Sequence, residues 1–175
     1  MTSLPPRRYS MAEASAVEAE AIGVLLHYLW QRPGTVQVRD VRADPEYRVA
    51  DVDLLWTWQD QAGRLHTTRL EVKADRWHNT GNFFFETQSN KARGRPGCFL
   101  YTQADYLLYY FVGPRLLYIL PMPAIRDWFL AHQERFPERE TSTPVGEGEE
   151  YITVGRLVPI GDLLAQVPGV RTRQL

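Results

Sequence analysis

Two strand-forming segments joined by a short turn constrain the fold of this chain most. Residues 49–58 are rich in Leu and Trp, the connection Gln59–Gly63 is typical of a hairpin, and residues 64–73 alternate as a returning strand. The alternation places Glu71 and Lys73 on the same side of that strand. The chain therefore contains an antiparallel β-hairpin with charged residues near one end.

The rest of the chain mixes helical and extended patterns. Residues 11–31 form an amphipathic helix with Ser10 as its N-cap and Glu13 three residues on, and residues 123–136 form a second long helix. Residues 43–47 are a turn. Further strands are expected at 35–41, 83–86 and 151–154, and two apolar runs lie at 106–112 and 115–120. A short helix is expected at 160–166. We therefore predict an α/β fold with a mixed central sheet flanked by the two long helices.

The length of 175 residues fits one domain, 1–175, with an apolar content of 44% that can supply a core. Within it we expect a flexible N-terminus (1–10), a polar and basic surface loop (87–97), an acidic loop (137–150) and a frayed tail (172–175). No domain boundary or internal repeat is indicated.

Composition excludes several classes of protein. The one cysteine, Cys98, allows neither a disulfide framework nor a cysteine-based zinc site within one chain. No apolar segment follows the first ten residues as in a signal peptide, and the longest apolar run, 106–112, is too short to cross a bilayer. We expect a cytoplasmic protein that does not bind a membrane. The net charge of −1 gives no overall sign of nucleic-acid binding, although an acidic stretch at 135–151 offsets basic residues elsewhere.

Acidic residues converge at the end of the predicted hairpin. Asp51 and Asp53 precede Leu54, and Glu71 lies two residues before Lys73. If the two strands pair, Asp53, Glu71 and the carbonyl of Val72 form an oxygen-rich cup of the kind that Mg²⁺ or Mn²⁺ prefers. Such ions activate water for phosphodiester hydrolysis, and a nearby lysine can stabilise the developing charge.

An aspartate 18 residues before a Glu-x-Lys triplet resembles the core motif of the PD-(D/E)xK, restriction-endonuclease-like nuclease superfamily. Glu18 on the first helix is similar to a metal-supporting glutamate of archaeal Holliday-junction resolvases, and residues 80–106 resemble uncharacterised phage and bacterial members. The resemblance covers residues 18–110. No proline precedes the aspartate, so the choice between Asp51 and Asp53 stays open, and Asp53 is favoured because the apolar residues 54–56 follow it directly. No Gln-x-x-x-Tyr signature follows Lys73, which argues against the exonuclease branch typified by the RecB nuclease domain.

The resemblance implies a Mg²⁺- or Mn²⁺-dependent endonuclease that acts on DNA and is compatible with a homodimer that cuts two strands. Asp53, Glu71 and Lys73 would be catalytic, with the metal on Asp53, Glu71 and Glu18 and with support from Asp51 and Glu86. The DNA would be contacted by Arg76, Lys91, Arg93 and Arg95. Two alternatives remain: a catalytically inactive nucleic-acid- or protein-binding domain on the same fold, or a small α/β scaffold whose triad is accidental, with Glu71 and Lys73 as a solvated cross-strand pair.

Overall fold

The computed structural model describes residues 10–146 and 149–175. Within these ranges the chain forms ten strands and five α-helices. The helices are α1 (Met11–Trp30), α2 (Pro45–Val49), α3 (Cys98–Tyr101), α4 (Met122–His132) and α5 (Ile160–Gln166). The strands are β1 (Thr35–Asp40), β2 (Leu54–Gln59), β3 (Leu65–Asp75), β4 (Asn82–Asn90), β5 (Arg95–Pro96), β6 (Tyr106–Phe111), β7 (Leu116–Pro121), β8 (Glu138–Gly146), β9 (Glu149–Pro159) and β10 (Arg171–Gln174).

Six strands form a mixed central sheet in the order β1-β2-β3-β6-β7-β10. The predicted hairpin is its β2–β3 pair, in which Leu54 lies opposite Leu70. All neighbours are antiparallel except β3 and β6, which run parallel because a long crossover separates them. The α/β class and the mixed sheet are confirmed.

Helix α1 covers one face of the central sheet. The predicted capping box is present: the side chain of Ser10 accepts a hydrogen bond from the backbone of Glu13, whose carboxylate accepts one from the backbone of Ser10. The buried stripe contains Ile22 and Leu25, which pack against apolar residues of the sheet such as Leu70. Burial of this stripe positions the helix beside the acidic end of β3.

The opposite face is covered by a second sheet, in the order β5-β4-β9-β8, together with α4 and α5. Phe83 and Phe85 of β4 pack on Tyr109 of β6 and on Phe129 of α4. Helix α4 begins one residue before the range predicted for the second long helix, 123–136, and ends four residues before the end of that range. The second sheet was not predicted, because its outer strand β8 is polar and shows no apolar alternation.

Three segments differ from the sequence-based predictions. The acidic segment 137–150 is not a loop: it contributes β8 and the start of β9, with residues 147–148 outside the described ranges. The tail 172–175 is not frayed, because β10 pairs with β7. The surface loop expected at 87–97 is occupied up to Asn90 by β4. The flexible N-terminus predicted at 1–10 lies outside the described residues except for Ser10.

The segment before β2 is also more structured than expected. Residues 45–49 form the helix α2 with Asp44 as its N-cap and Pro45 in its first turn, where a turn was predicted over 43–47. The helix delays the start of β2 to Leu54. Asp51 and Asp53 therefore precede the strand instead of lying within it.

Candidate metal centre and active site

The position of Glu71 and Lys73 follows from the pairing of β3 with β6. Glu71 lies beside Leu107 and Lys73 beside Tyr109. Leu107 and Tyr109 belong to the core between the two sheets, and paired residues of neighbouring strands point to the same face. Glu71 and Lys73 therefore both face the second sheet. They share one face of β3, as the alternation predicted.

Asp53 replaces a backbone acceptor at the point where β2 begins. Its Oδ2 accepts a hydrogen bond of 2.9 Å from the backbone N–H of Val72, and its own N–H donates to the carbonyl of Leu70. Besides burial, the charge of Asp53 raises the pKa of the neighbouring Glu71 carboxyl. Burial raises the pKa of Asp53 to about 6, although the Val72 N–H opposes this shift. The structure thus brings Asp53 and Glu71 together.

Glu71 is buried beside two other carboxyl groups. Its side chain is only 8% exposed, and within the described part of the chain its Oε2 has no hydrogen-bond partner. Burial raises its pKa well above the usual range, and the neighbouring Asp53 and Asp51 add to the shift. A buried oxygen without a partner is costly, so this atom is a strong candidate ligand.

Asp51 enters the same cluster through an unusual backbone conformation. Its φ is 54°, in the left-handed region, where aspartate is one of the few tolerated side chains. Its buried Oδ2 also lacks a partner among the described residues. The pKa of Asp51 is raised to about 7, mainly by burial, and the charges of Asp53 and Glu86 contribute to the same increase. Asp51 and Asp53 therefore both belong to the site.

Lys73 faces Glu86 across the gap between the sheets. The Nζ of Lys73 lies 3.9 Å from Oε2 of Glu86, whose side chain is 14% exposed. Burial lowers the pKa of Lys73, but Glu86 and the other nearby acids outweigh it and the pKa is raised. Burial raises the pKa of Glu86 against the opposing effect of Lys73. Lys73 thus stays an ammonium group inside the acidic cluster.

Cys98 is a site residue that sequence reasoning missed. An oxygen of Asp51, an oxygen of Glu71 and the sulfur of Cys98 lie within 4.8 Å of one another. The backbone N–H of Cys98 lowers the pKa of Glu86, against the larger effect of burial that raises it. Burial raises the pKa of the thiol well above its usual value. The residue before Cys98 is Gly97, where a Cβ would lie 2.2 Å from the carbonyl oxygen of Glu86. This glycine allows the close approach of Cys98 to β4.

Asp75 extends the row of charged residues on β3. It is 8% exposed, and its carboxylate accepts hydrogen bonds from the hydroxyl of Tyr109 and from the backbone N–H of Trp77 at 2.7 Å. The Tyr109 hydroxyl in turn accepts from the backbone N–H of Phe84 at 3.0 Å. This chain of bonds connects β3, β6 and β4 directly behind Lys73.

Glu18 lies at the border of the cluster. Its carboxylate pairs with Arg42 at 2.9 Å, its side chain is 53% exposed, and its charge raises the pKa of Asp53. Arg42 also holds Asp40 at 2.7 Å. Glu18 is thus near Asp53 but bound to a guanidinium, which differs from the direct ligand role expected from the sequence.

The four basic residues expected to contact DNA are distributed unevenly. Lys91 forms an ion pair with Glu140 of β8. It lies five residues after Glu86, which corresponds to about 16 Å of extended chain between Lys91 and the site. Arg93 and Arg95 are exposed next to it. Arg76 donates to the backbone carbonyl of Glu13 at the start of α1. Arg76 thus contacts α1, whereas Lys91 contacts β8 of the second sheet.

A cavity of about 20 Å³ adjoins the cluster, lined by Glu71, Lys73, Glu86 and Cys98 together with aromatic side chains of the core. This volume is about that of one water site. Four carboxyl groups with raised pKa values and few partners suit a divalent cation, which would bind their ionised forms and displace their protons. The donor set therefore fits a bound metal ion.

Within the described ranges, no helix has both the length and the apolar character needed to cross a membrane. Comparisons of the chain with protein-family models, with curated proteins and with solved structures gave no match.

Proposed function

We propose that this protein is a metal-dependent endonuclease that hydrolyses phosphodiester bonds of DNA in the cytoplasm, with an active site of the PD-(D/E)xK type. The observation that carries the proposal is the 2.9 Å hydrogen bond that fixes the Asp53 carboxylate on the backbone of Val72, between buried Glu71 and Lys73. A solvated cross-strand pair does not account for a Glu71 side chain that is 8% exposed.

The arrangement of elements also favours the restriction-endonuclease-like fold. Helix α1 lies on one face of a mixed sheet, the hairpin β2–β3 carries the acidic residues, and β6 runs parallel to the strand with the Glu-x-Lys triplet. The second sheet is an addition that the resemblance did not imply. It supplies Glu86, one wall of the site.

Asp53 and Glu71 would hold a Mg²⁺ or Mn²⁺ ion, and Asp51 would lie next to them. The ion, when bound, polarises a phosphoryl oxygen and lowers the pKa of a bound water. Glu18 is better described as an outer group, because Arg42 already occupies its carboxylate. From the surface, the negative charge of Glu18 would raise the pKa of Asp53.

Lys73 would act on the attacking water and on the developing negative charge. The Lys73 side chain borders the small cavity. The Oε2 of Glu86 lies 3.9 Å from its Nζ and would orient the ammonium group. A fixed positive charge in a partly dehydrated site stabilises a transition state more than it would in water. Glu86 is a positioning residue in this mechanism.

The test uses linear, nicked, flapped and four-way DNA with Mg²⁺ or Mn²⁺. The variant Lys73→Ala should keep Mn²⁺ affinity within a few-fold of wild type yet cut about 10²-fold more slowly, the usual scale for losing one electrostatic stabiliser. Glu71→Gln should lose both Mn²⁺ binding and cleavage. Arg64→Ala, which removes an exposed cation in the hairpin turn at the far end of β2, is the control and should cut like wild type.

Two outcomes would count against the proposal. If the wild-type protein binds some of these DNAs but cuts none, the inactive nucleic-acid-binding domain replaces the nuclease. If Lys73→Ala cuts as fast as wild type, the role given to Lys73 is wrong even though cleavage is real.

A further inference from the structure

The sulfur of Cys98 is out of place in a magnesium site. Mg²⁺ takes oxygen ligands in a strict geometry, whereas thiolates select softer ions such as Zn²⁺, Co²⁺ or Cd²⁺. Yet the sulfur lies within 4.8 Å of oxygens of Asp51 and Glu71, so the three donors face a common point. Each comes from a different segment: the turn before β2, the strand β3 and the helix α3.

A second observation points to a ligand at this place. The side chain of Glu71 is more than nine-tenths buried, and in the described part of the chain its Oε2 has no hydrogen-bond partner. Among the described residues, the buried Oδ2 of Asp51 has no hydrogen-bond partner either. Buried oxygens of this kind are normally paired or bound to an ion.

We infer that Asp51, Glu71 and Cys98 form a binding site for a thiophilic divalent ion of the Zn²⁺ class. Binding joins the ion to the Cys98 sulfur and to one oxygen of each carboxylate, and the thiol proton leaves to solvent together with any proton held by the two carboxyl groups. A fourth position would remain for water or another ligand. The site shares Glu71 with the proposed Mg²⁺ set but does not depend on the proposed function, since it is defined by binding alone.

The distances fit such an ion with a small closure. On a tetrahedral ion, a sulfur at about 2.3 Å and an oxygen at about 2.1 Å are about 3.6 Å apart, and two such oxygens are about 3.4 Å apart, so donors within 4.8 Å of one another need to approach by at most about 1.4 Å. The backbone already holds them close. Gly97 lets α3 lie against the backbone of Glu86, and Thr102 at the end of α3 donates to the carbonyl of Asp51 at 2.6 Å.

The experiment is a titration of the untagged protein with Co²⁺, followed by absorption. A thiolate bound to Co²⁺ gives a charge-transfer band in the near ultraviolet, and Cys98 is the one cysteine of the sequence, so the band reports on this residue. Wild type should develop the band at one equivalent and lose it when Zn²⁺ is added. Cys98→Ser should show none.

The carboxylates are tested by isosteric variants. Asp51→Asn and Glu71→Gln should each weaken Co²⁺ binding about tenfold or more, whereas Asp162→Asn, an exposed aspartate of α5, should bind like wild type. Thermal melts and circular dichroism establish that each variant is folded. Because the readout is absorption, a protein that cuts no DNA can still pass the test.

Three outcomes would overturn the inference: no charge-transfer band in wild type, a band that survives in Cys98→Ser, or unchanged affinity in both carboxylate variants. If Mg²⁺-dependent cleavage is observed but the Co²⁺ band is not, the nuclease stands and the thiophilic site does not.

Discussion

The backbone N–H of Val72 donates a 2.9 Å hydrogen bond to Oδ2 of Asp53. Val72 lies between Glu71 and Lys73, so the strand that carries the Glu-x-Lys triplet also fixes the aspartate. The chain leaves the β2–β3 ladder at Asp53, and the carboxylate takes the place of the backbone acceptor that the departing strand no longer offers. The relative position of the three residues is thus built into one strand.

This bond predicts a difference between two substitutions of Asp53. Asp53→Asn keeps an oxygen acceptor for the Val72 N–H, whereas Asp53→Ala leaves that donor unpaired at a cost of about 1–3 kcal/mol in the free energy of unfolding. Both variants remove the carboxylate, so comparing them by urea denaturation without metal isolates the hydrogen bond. Equal stability of the two variants would show that the bond contributes nothing.

The raised pKa values predict how the stability of the metal-free protein depends on pH. The pKa of Asp51 is about 7 and that of Asp53 about 6, both above the ordinary value of 3.8. The folded state therefore holds protons that the unfolded chain has lost, and these two groups make the folded state less stable as the pH rises from about 4 to about 7. The urea midpoint at about pH 5 and about pH 8 measures this effect.

Asp51→Asn provides the comparison for that pH dependence, because it cannot ionise. The stability advantage of the variant over wild type should be larger at about pH 8 than at about pH 5, and a bound divalent ion should recover the loss in wild type. Asp162→Asn, on the exposed surface of α5, should follow wild type throughout. A wild-type advantage over Asp51→Asn at the higher pH would contradict the assignment.

DNA binding should depend more on Arg93 and Arg95 than on Lys91. Lys91 is paired with Glu140, whereas the two arginines are exposed. Removing both arginines should weaken binding and reduce the slope of log affinity against log salt by about 2, since each phosphate contact contributes about 0.9. Arg64→Ala, in the hairpin turn at the other end of β2, is the control. Binding that does not respond to salt would exclude this surface as a DNA contact.

Tyr109→Phe should destabilise the protein by about 1–3 kcal/mol, because it leaves one oxygen of buried Asp75 and the N–H of Phe84 without the hydroxyl. Tyr118→Phe is the matched control: Tyr118 lies in the same core, and in the described part of the chain its hydroxyl has no hydrogen-bond partner. Chemical denaturation measures both. A loss in Tyr118→Phe as large as in Tyr109→Phe would mean that packing, not the Asp75 bond, is responsible.

The local part of the site was predictable from sequence. Asp53 and Glu71 are brought together by a hairpin whose turn is short, and the alternation of β3 sets the common face of Glu71 and Lys73. Such relations depend on neighbours in the chain. The nonlocal part was not predictable, because Glu86 reaches Lys73 only through a second sheet whose outer strand lacks an apolar pattern.

Cys98 and Asp51 illustrate the same limit in another way. Counting cysteines answers whether a disulfide or a multi-cysteine zinc site can form, but not whether a single thiol meets carboxylates from elsewhere in the chain. Asp51 was read as part of a strand, although the helix α2 ends just before it and leaves it at a positive φ. Only the folded path of α2 and α3 brings the two together.

The hydrogen bonds of Thr102 have a mechanical consequence for that cluster. Its N–H closes α3 on the carbonyl of Cys98, its hydroxyl holds the carbonyl of Asp51, and the next N–H, of Gln103, holds the carbonyl of Ala50. One buried residue thus joins the segment with the thiol to the segment with the carboxylate. Separating the thiol from the carboxylate by moving these segments apart would therefore break the Thr102 and Gln103 bonds together.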